Sequence, residues 1–157
     1  MALFLWNLVS VEKAADFLLN DCVFEALQQV KILYDRKSIL IENNIPANIA
    51  VNGDFELIHR VFVNLLTNAI KYTPQGNINV ALEIRNPKSE NLNNEENNKK
   101  VAVITVTDTG EGIEPDDLPK LFHSFSRAQA GTKLWTEGTG LGLYVAKKFI
   151  GMLKMLR

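Results

Sequence analysis

The run NLLTNAIKYTP carries two asparagine carboxamides and one lysine ammonium at helical spacing. At roughly 100° per residue, Asn64, Asn68 and Lys71 fall within a sector of about 60°, while Leu65, Leu66, Ala69 and Ile70 cover the opposite side. An Asn oxygen is a hard, neutral ligand that suits Mg²⁺, an ion that keeps several waters and takes further oxygens from phosphates. A lysine one turn on offers a phosphate a mobile point charge. A solvated helix face with ordinary surface amides is the competing reading, and the stripe alone does not decide between them.

Two glycine-bearing segments follow. Asp108-Thr109-Gly110-Glu111-Gly112-Ile113 comes directly after an apolar β-type run. Glycines there let a ligand ring approach the backbone and permit positive φ. A carboxylate at a strand end accepts a hydrogen bond from an exocyclic amino group and repels a carbonyl oxygen, so Asp108 would favour adenine over guanine. A plain Asp-Gly turn is the alternative. Gly138-Thr139-Gly140-Leu141-Gly142-Leu143 opens the last helical stretch, where free backbone N–H groups make an anion site suited to phosphates. It is not a Rossmann fingerprint, whose third glycine falls one place later and whose first follows a strand directly. It is not a Walker A loop either, because the chain has no Gly-Lys pair.

These segments need elements to hold them. Asn20 and Asp21 are expected to cap a helix over Val23–Tyr34, whose apolar positions recur at helical spacing. Residues 3–19 read as a separate helical piece. The β-branched runs Ile39–Glu42 and Ile49–Val51, parted by an Asn-Asn-Ile-Pro turn signal, predict two antiparallel strands. Asp54 is the candidate N-cap of a long helix that ends near Tyr72, before Thr73-Pro74-Gln75-Gly76. Residues 77–85 alternate cleanly and predict a strand, as does Val101–Thr107. Between them, residues 86–100 hold six asparagines and almost nothing to bury, which predicts a disordered hairpin loop.

Composition narrows the function classes. With 157 residues, 46% of them hydrophobic, the chain can bury a core of its own without metal or disulfide. A formal net charge of −1 excludes a nucleic-acid binder that acts by bulk positive charge. The lone Cys22 forms no internal disulfide and reads as a buried structural thiol. The apolar run Met1–Val11 is about half of the ~20 residues a membrane-spanning helix needs, so no membrane segment is expected in this chain.

Taken in order, NLLTNAIKYTP, DTGEGI, LFHSFSRA and GTGLGLYVAKK resemble the N, G1, F and G2 boxes of the ATP-binding domain of sensor histidine kinases. The wider family includes gyrase, a heat-shock chaperone and MutL-type repair ATPases. The resemblance covers about residues 20 to 150. It implies a two-layer α/β sandwich, the Bergerat ATP-binding fold, with a mixed, mostly antiparallel sheet covered on one face by helices. By that likeness ATP and Mg²⁺ are the cofactors, with Asn68 the Mg²⁺ ligand beside Asn64, Lys71 a phosphate contact and Tyr72 flanking the adenine. Asp108 becomes the adenine-amino acceptor, Gly110 and Gly112 the close backbone, and Ile113 part of the apolar wall. Gly138, Thr139, Gly140, Leu141, Gly142 and Leu143 form the phosphate-side turn. Phe122 and Phe125 match the F-box rings and Arg127 a basic residue of a lid over residues 114 to 137.

In the gyrase-like and chaperone branch, a glutamate that activates water stands where this chain has Asn64. A carboxamide is no general base, so autonomous hydrolysis should be slow and the phosphate should pass to a histidine. His59 and His123 are the only histidines, and neither lies in the family's acceptor motif. The expected acceptor is therefore a histidine-bearing dimerisation domain, upstream or in trans, with a response regulator downstream and a cytoplasmic location. On this reading residues 1–20 are the tail of a dimerisation-type helix and 21–157 the catalytic domain, which lacks the last strand or strands at its C-terminus. A transfer-incompetent docking module and an anti-sigma-type serine kinase of the same fold are the alternatives.

Overall fold

Strand pairing, more than helix periodicity, sets this architecture. The computed structural model describes residues 3–10, 17–51, 53–85 and 101–114. Its elements are β1 (Leu3–Ser10), β2 (Phe17–Leu18), α1 (Leu19–Tyr34), β3 (Ser38–Asn44), β4 (Ala50–Val51), α2 (Phe55–Tyr72), β5 (Gln75–Arg85) and β6 (Val101–Asp108). A four-stranded sheet has the order β1-β6-β5-β3, and β2 and β4 make a separate two-stranded ribbon. β1 and β5 both run antiparallel to β6, whereas β3 runs parallel to β5. The sheet is thus mixed and mostly antiparallel, and the α/β sandwich expected from the sequence is present.

The helices cover one sheet face. In register, Val80 opposes Val106 and Ile78 opposes Asp108, and since side chains alternate by two, Ile78, Val80, Ile104, Val106 and Asp108 share that face. The core joins Ile78, Val80, Ile104 and Val106 to Cys22, Val23, Ala26 and Val30 of α1 and to Ile58, Val61, Phe62, Leu65, Leu66, Ala69 and Ile70 of α2. Each fully buried Leu, Ile or Phe contributes about 1.5–3 kcal/mol relative to exposure, so this stripe outweighs the modest helix propensity of the Val and Asn residues in α2. Cys22 Sγ lies 4.0 Å from the Phe55 carbonyl oxygen at one end of the helix pair, and the Lys37 side chain reaches Ile70 at the other. The two helices therefore run in the same direction.

Three expectations are corrected. Where a helix was expected over residues 3–19, Leu3–Ser10 is a strand along β6, from Leu3 opposite Thr107 to Ser10 opposite Val101, with an irregularity between Asn7 and Val9, and Phe17–Leu18 is a strand as well. A short apolar run reads equally well at either period, and here the unpaired N–H and C=O groups of β6 decide. Of the residues assigned to a dimerisation-helix tail, those described before α1 form β1 and β2. Second, β3 and β4 do not pair with each other. β3 joins β5 in parallel through the crossover that contains α2, and β4 joins β2. Residue alternation specifies a strand but neither its partner nor its direction.

Third, Asn20 and Asp21 do not cap α1. The N-cap is Leu18, with no side-chain cap, and the Leu19 N–H donates to the Ile49 carbonyl at 2.9 Å. Asn20 instead accepts from the Asn43 carboxamide at 2.9 Å, tying α1 to β3. The hairpin loop at 86–100, the lid beyond Glu114, the last helix and the expected loss of a final strand lie outside the described residues.

Candidate functional site

α2 is aimed by its first residues. Asp54 accepts a hydrogen bond from the Leu57 N–H at 3.0 Å, as an N-cap carboxylate does, so the expected start of the helix holds. With the apolar stripe buried, Asn64, Asn68 and Lys71 are left half-buried along the remaining sector. The Lys71 ammonium lies 5.1 Å from the centroid of the half-exposed Tyr72 ring. Among the described residues no group of three or more His, Cys, Asp or Glu is placed to hold a metal. A hard cation beside Asn68 would take its other oxygens from phosphate and water, which is the donor set Mg²⁺ accepts. Asn68, with Asn64 one turn away, fits that ion on these grounds.

The C-terminal end of α2 meets the end of β6. Asp108 is 6% exposed and one of only two buried polar residues among those described, the other being Thr73. The Gly110 N–H donates to Asp108 Oδ1 at 2.9 Å, so one carboxylate oxygen is held by its own turn. A Cβ on Gly110 would collide with the Tyr72 carbonyl oxygen and lie 2.9 Å from Asp108 Oδ1. Glycine at 110 therefore admits the close approach of the protein's own helix end. Gly112 adopts φ 77°, the left-handed conformation expected of it, and Ile113 beside it is half-buried.

A second turn locks to the first. The Thr109 N–H donates to the Asn77 carbonyl at 3.1 Å, and the Asn77 N–H donates to Thr109 Oγ1 at 2.9 Å. Gly76, at φ 119°, leaves the space that the Thr109 hydroxyl occupies. Tyr72, Asp108 and Gly110 thus come together at one corner, with Asn68 one turn back along α2. Thr73 Oγ1 in that corner is buried and has no hydrogen-bond partner among the described residues.

Three positions in this corner escaped the sequence reading. Gly76 and Thr109 form a pairing across 33 residues, and only a Gly-Asn pair opening a strand hinted at it. Lys37 sends its Nζ to the carbonyls of Ile70 at 2.5 Å and of Lys71 and Thr73, both at 3.4 Å. No local signal marks that lysine, since its partners are 33 to 36 residues away. Phe122, Phe125, Arg127, Gly138, Thr139, Gly140, Leu141, Gly142 and Leu143 lie outside the described residues, as does His123. His59 sits about three turns from Tyr72 along α2, its ring parallel to that of Phe55 with centroids 6.1 Å apart.

A family described as histidine kinase-, DNA gyrase B- and HSP90-like ATPases matches residues 53–155, and the chain belongs to it. It is 34% identical over 116 residues to the autoinducer 2 sensor kinase/phosphatase LuxQ of Vibrio harveyi, a match over 74% of this chain and 13% of that protein. It is also 34% identical over 125 residues to the sensor-like histidine kinase SenX3 of Mycobacterium tuberculosis, covering 80% of this chain and 28% of that protein. The chain thus spans well under a third of the length of these curated relatives. Among solved structures, the mycobacterial sensor histidine kinase MprB superposes with a TM-score of 0.67 at 24% identity, over 90% of this chain and 81% of that one. The catalytic domain of histidine kinase ThkA gives 0.60 at 23% identity, over 97% and 83%. At that identity the structural matches establish the fold.

Proposed function

We propose that this chain is the ATP·Mg²⁺-binding catalytic module of a two-component sensor histidine kinase. The observation that carries the proposal is the corner where buried Asp108, at the end of β6, meets the end of the helix that bears Asn68 and Lys71. Adenine is recognised by Asp108, whose carboxylate is oriented by the Gly110 N–H and accepts from the exocyclic amine. The triphosphate runs back along α2 toward Lys71 and Asn68. When bound, Mg²⁺ would neutralise phosphate charge from the Asn68 side. A protein of similar fold, ShkA, has been crystallised with AMPPNP, an ATP analogue, which supports the choice of nucleotide.

Asn64 decides the fate of the γ-phosphate. Its carboxamide cannot take a proton from water, so hydrolysis lacks a base at that position. The acceptor is the imidazole of a histidine on a dimerisation domain. The bond between the γ-phosphorus and the β,γ-bridging oxygen breaks, a P–N bond forms, ADP leaves, and the imidazole nitrogen sheds its proton to solvent. A response regulator then takes the phosphoryl group. We place the module on the cytoplasmic side of any membrane its parent spans. Among the described residues no helix is long and apolar enough to cross one.

The test mixes the chain with a separately made dimerisation helix pair from a sensor kinase and ATP labelled at the γ position. Label on the helix pair that is lost in acid and kept in base is expected, together with an upward shift of the melting transition by ATP·Mg²⁺. A shift without transfer to any helix pair would leave a nucleotide-binding module and defeat the kinase reading.

A further inference from the structure

We infer that Lys37 is a positioning residue for the adenine end of this site, acting through the C-terminal turn of α2. The inference rests on the nucleotide reading above. α1 closes with the Asp35 N–H donating to the Lys31 carbonyl at 3.0 Å, and the next turn with the Lys37 N–H donating to the Tyr34 carbonyl at 2.9 Å. Because α1 and α2 run in the same direction, these turns deliver Lys37 to the end of α2. Its half-buried ammonium donates to the Ile70, Lys71 and Thr73 carbonyls, which uses all three of its protons.

A helix leaves its last four carbonyls without partners inside the helix, and its C-terminus carries partial negative charge. Thr73, at the C-cap, is extended rather than left-handed, so α2 does not close with a glycine-type cap. The distant lysine takes that place. Between the Lys71 and Thr73 carbonyls it holds lies the Tyr72 carbonyl, packed where Gly110 has no Cβ. Without the ammonium, three part-buried carbonyls lose their common donor and the last turn of α2 loosens. The Tyr72 carbonyl then ceases to fix Gly110, whose N–H orients the Asp108 carboxylate.

The consequence is specific. Lys37 lies at the adenine end, so its loss should weaken ATP, ADP and AMP by the same factor. A contact to the outer phosphates would discriminate among the three. Titration of the full chain with each nucleotide should show Lys37→Met binding all three about tenfold more weakly, the scale of one charge-assisted hydrogen-bond set. Lys37→Arg should stay within about twofold of the parent, since the guanidinium restores charge and donors.

Amide exchange should quicken at Tyr72 and Gly110 in Lys37→Met and not in Lys37→Arg. Unchanged affinities in a folded Lys37→Met, even with a lower melting temperature, would overturn the inference, as would a loss confined to ATP. If Lys37→Met does not fold, Lys37→Gln is read by the same criteria. Should the parent chain bind none of the three nucleotides, the reading of the site itself fails, and that outcome is distinct from a variant that binds like the parent.

Discussion

Asp108 shows what a single buried carboxylate contributes. It shares the core face with Ile78 and Val106, where an unpaired charge is costly, and among the described residues the Gly110 N–H donates to it. A ligand amine would complete its hydrogen bonding. Replacing Asp108 by Asn sets an NH₂ or a neutral oxygen against that amine, whereas Asp116 stands eight positions after Asp108, outside the motif. In calorimetric titrations Asp108→Asn should therefore weaken ATP far more than Asp116→Asn, and equal losses would refute the adenine assignment. On the proposed reading, Lys71→Ala removes a charge from the phosphate end. It should raise the ATP dissociation constant roughly tenfold, the scale of one charge-assisted contact, and leave AMP nearly unaffected. An equal loss for AMP would move Lys71 out of the phosphate path.

Between elements, the contact of α1 with α2 carries a titratable reporter. Cys22 is fully buried, with Sγ directed to the Phe55 carbonyl oxygen, and burial pushes its thiol up from 9.0 to about 12, helped by the nearby Glu25 and Glu56 carboxylates. Between pH 9 and 12 the unfolded chain releases this proton and the folded chain keeps it. The unfolded state binds fewer protons in that window, so stability falls as pH rises, by at most about 1.4 kcal/mol per pH unit. Urea denaturation from pH 8.5 to 10.5 should show a steeper decline for the parent than for Cys22→Ala, which isolates the thiol from the lysines and tyrosines that titrate nearby. Parallel curves would show that the helix pair opens to water at Cys22.

The same pair of helices shows what local pattern can and cannot carry. α2 and β5 are legible because their apolar positions keep one period along most of each element, β6 because it is a β-branched run, and α2 has Asp54 at its start. The places of Asn68 and Lys71 on α2 and of Asp108 at the end of β6 are legible for the same reason. The direction of β3, the strand at Leu3–Ser10 and the Lys37 cap depend on partners 30 to 100 residues away, and no local window contains those partners. Gly110 lies between the two cases. Its glycine was readable, while the neighbour that requires it, the Tyr72 carbonyl, emerges only when α2 and β6 are assembled.

At the scale of the whole molecule, β1 gives β6 a second neighbour, so the strand that ends in Asp108 is flanked on both sides. An exposed edge there would present a row of N–H and C=O groups to any other chain. Removing residues 1–10 uncovers that row over the length of β6 while leaving α1, α2, β3 and β5 intact in sequence. The shortened chain should melt lower, on the order of 5 °C for a loss of one to two kcal/mol in a domain of this size. It should also associate in a concentration-dependent way during sedimentation, because edges pair with edges. A synthetic peptide of residues 1–12, added in excess, should restore the monomer by occupying the edge in trans. If the shortened chain stays monomeric with an unchanged melting temperature, β1 contributes nothing to the sheet. The order of strands around Asp108 would then have to be redrawn.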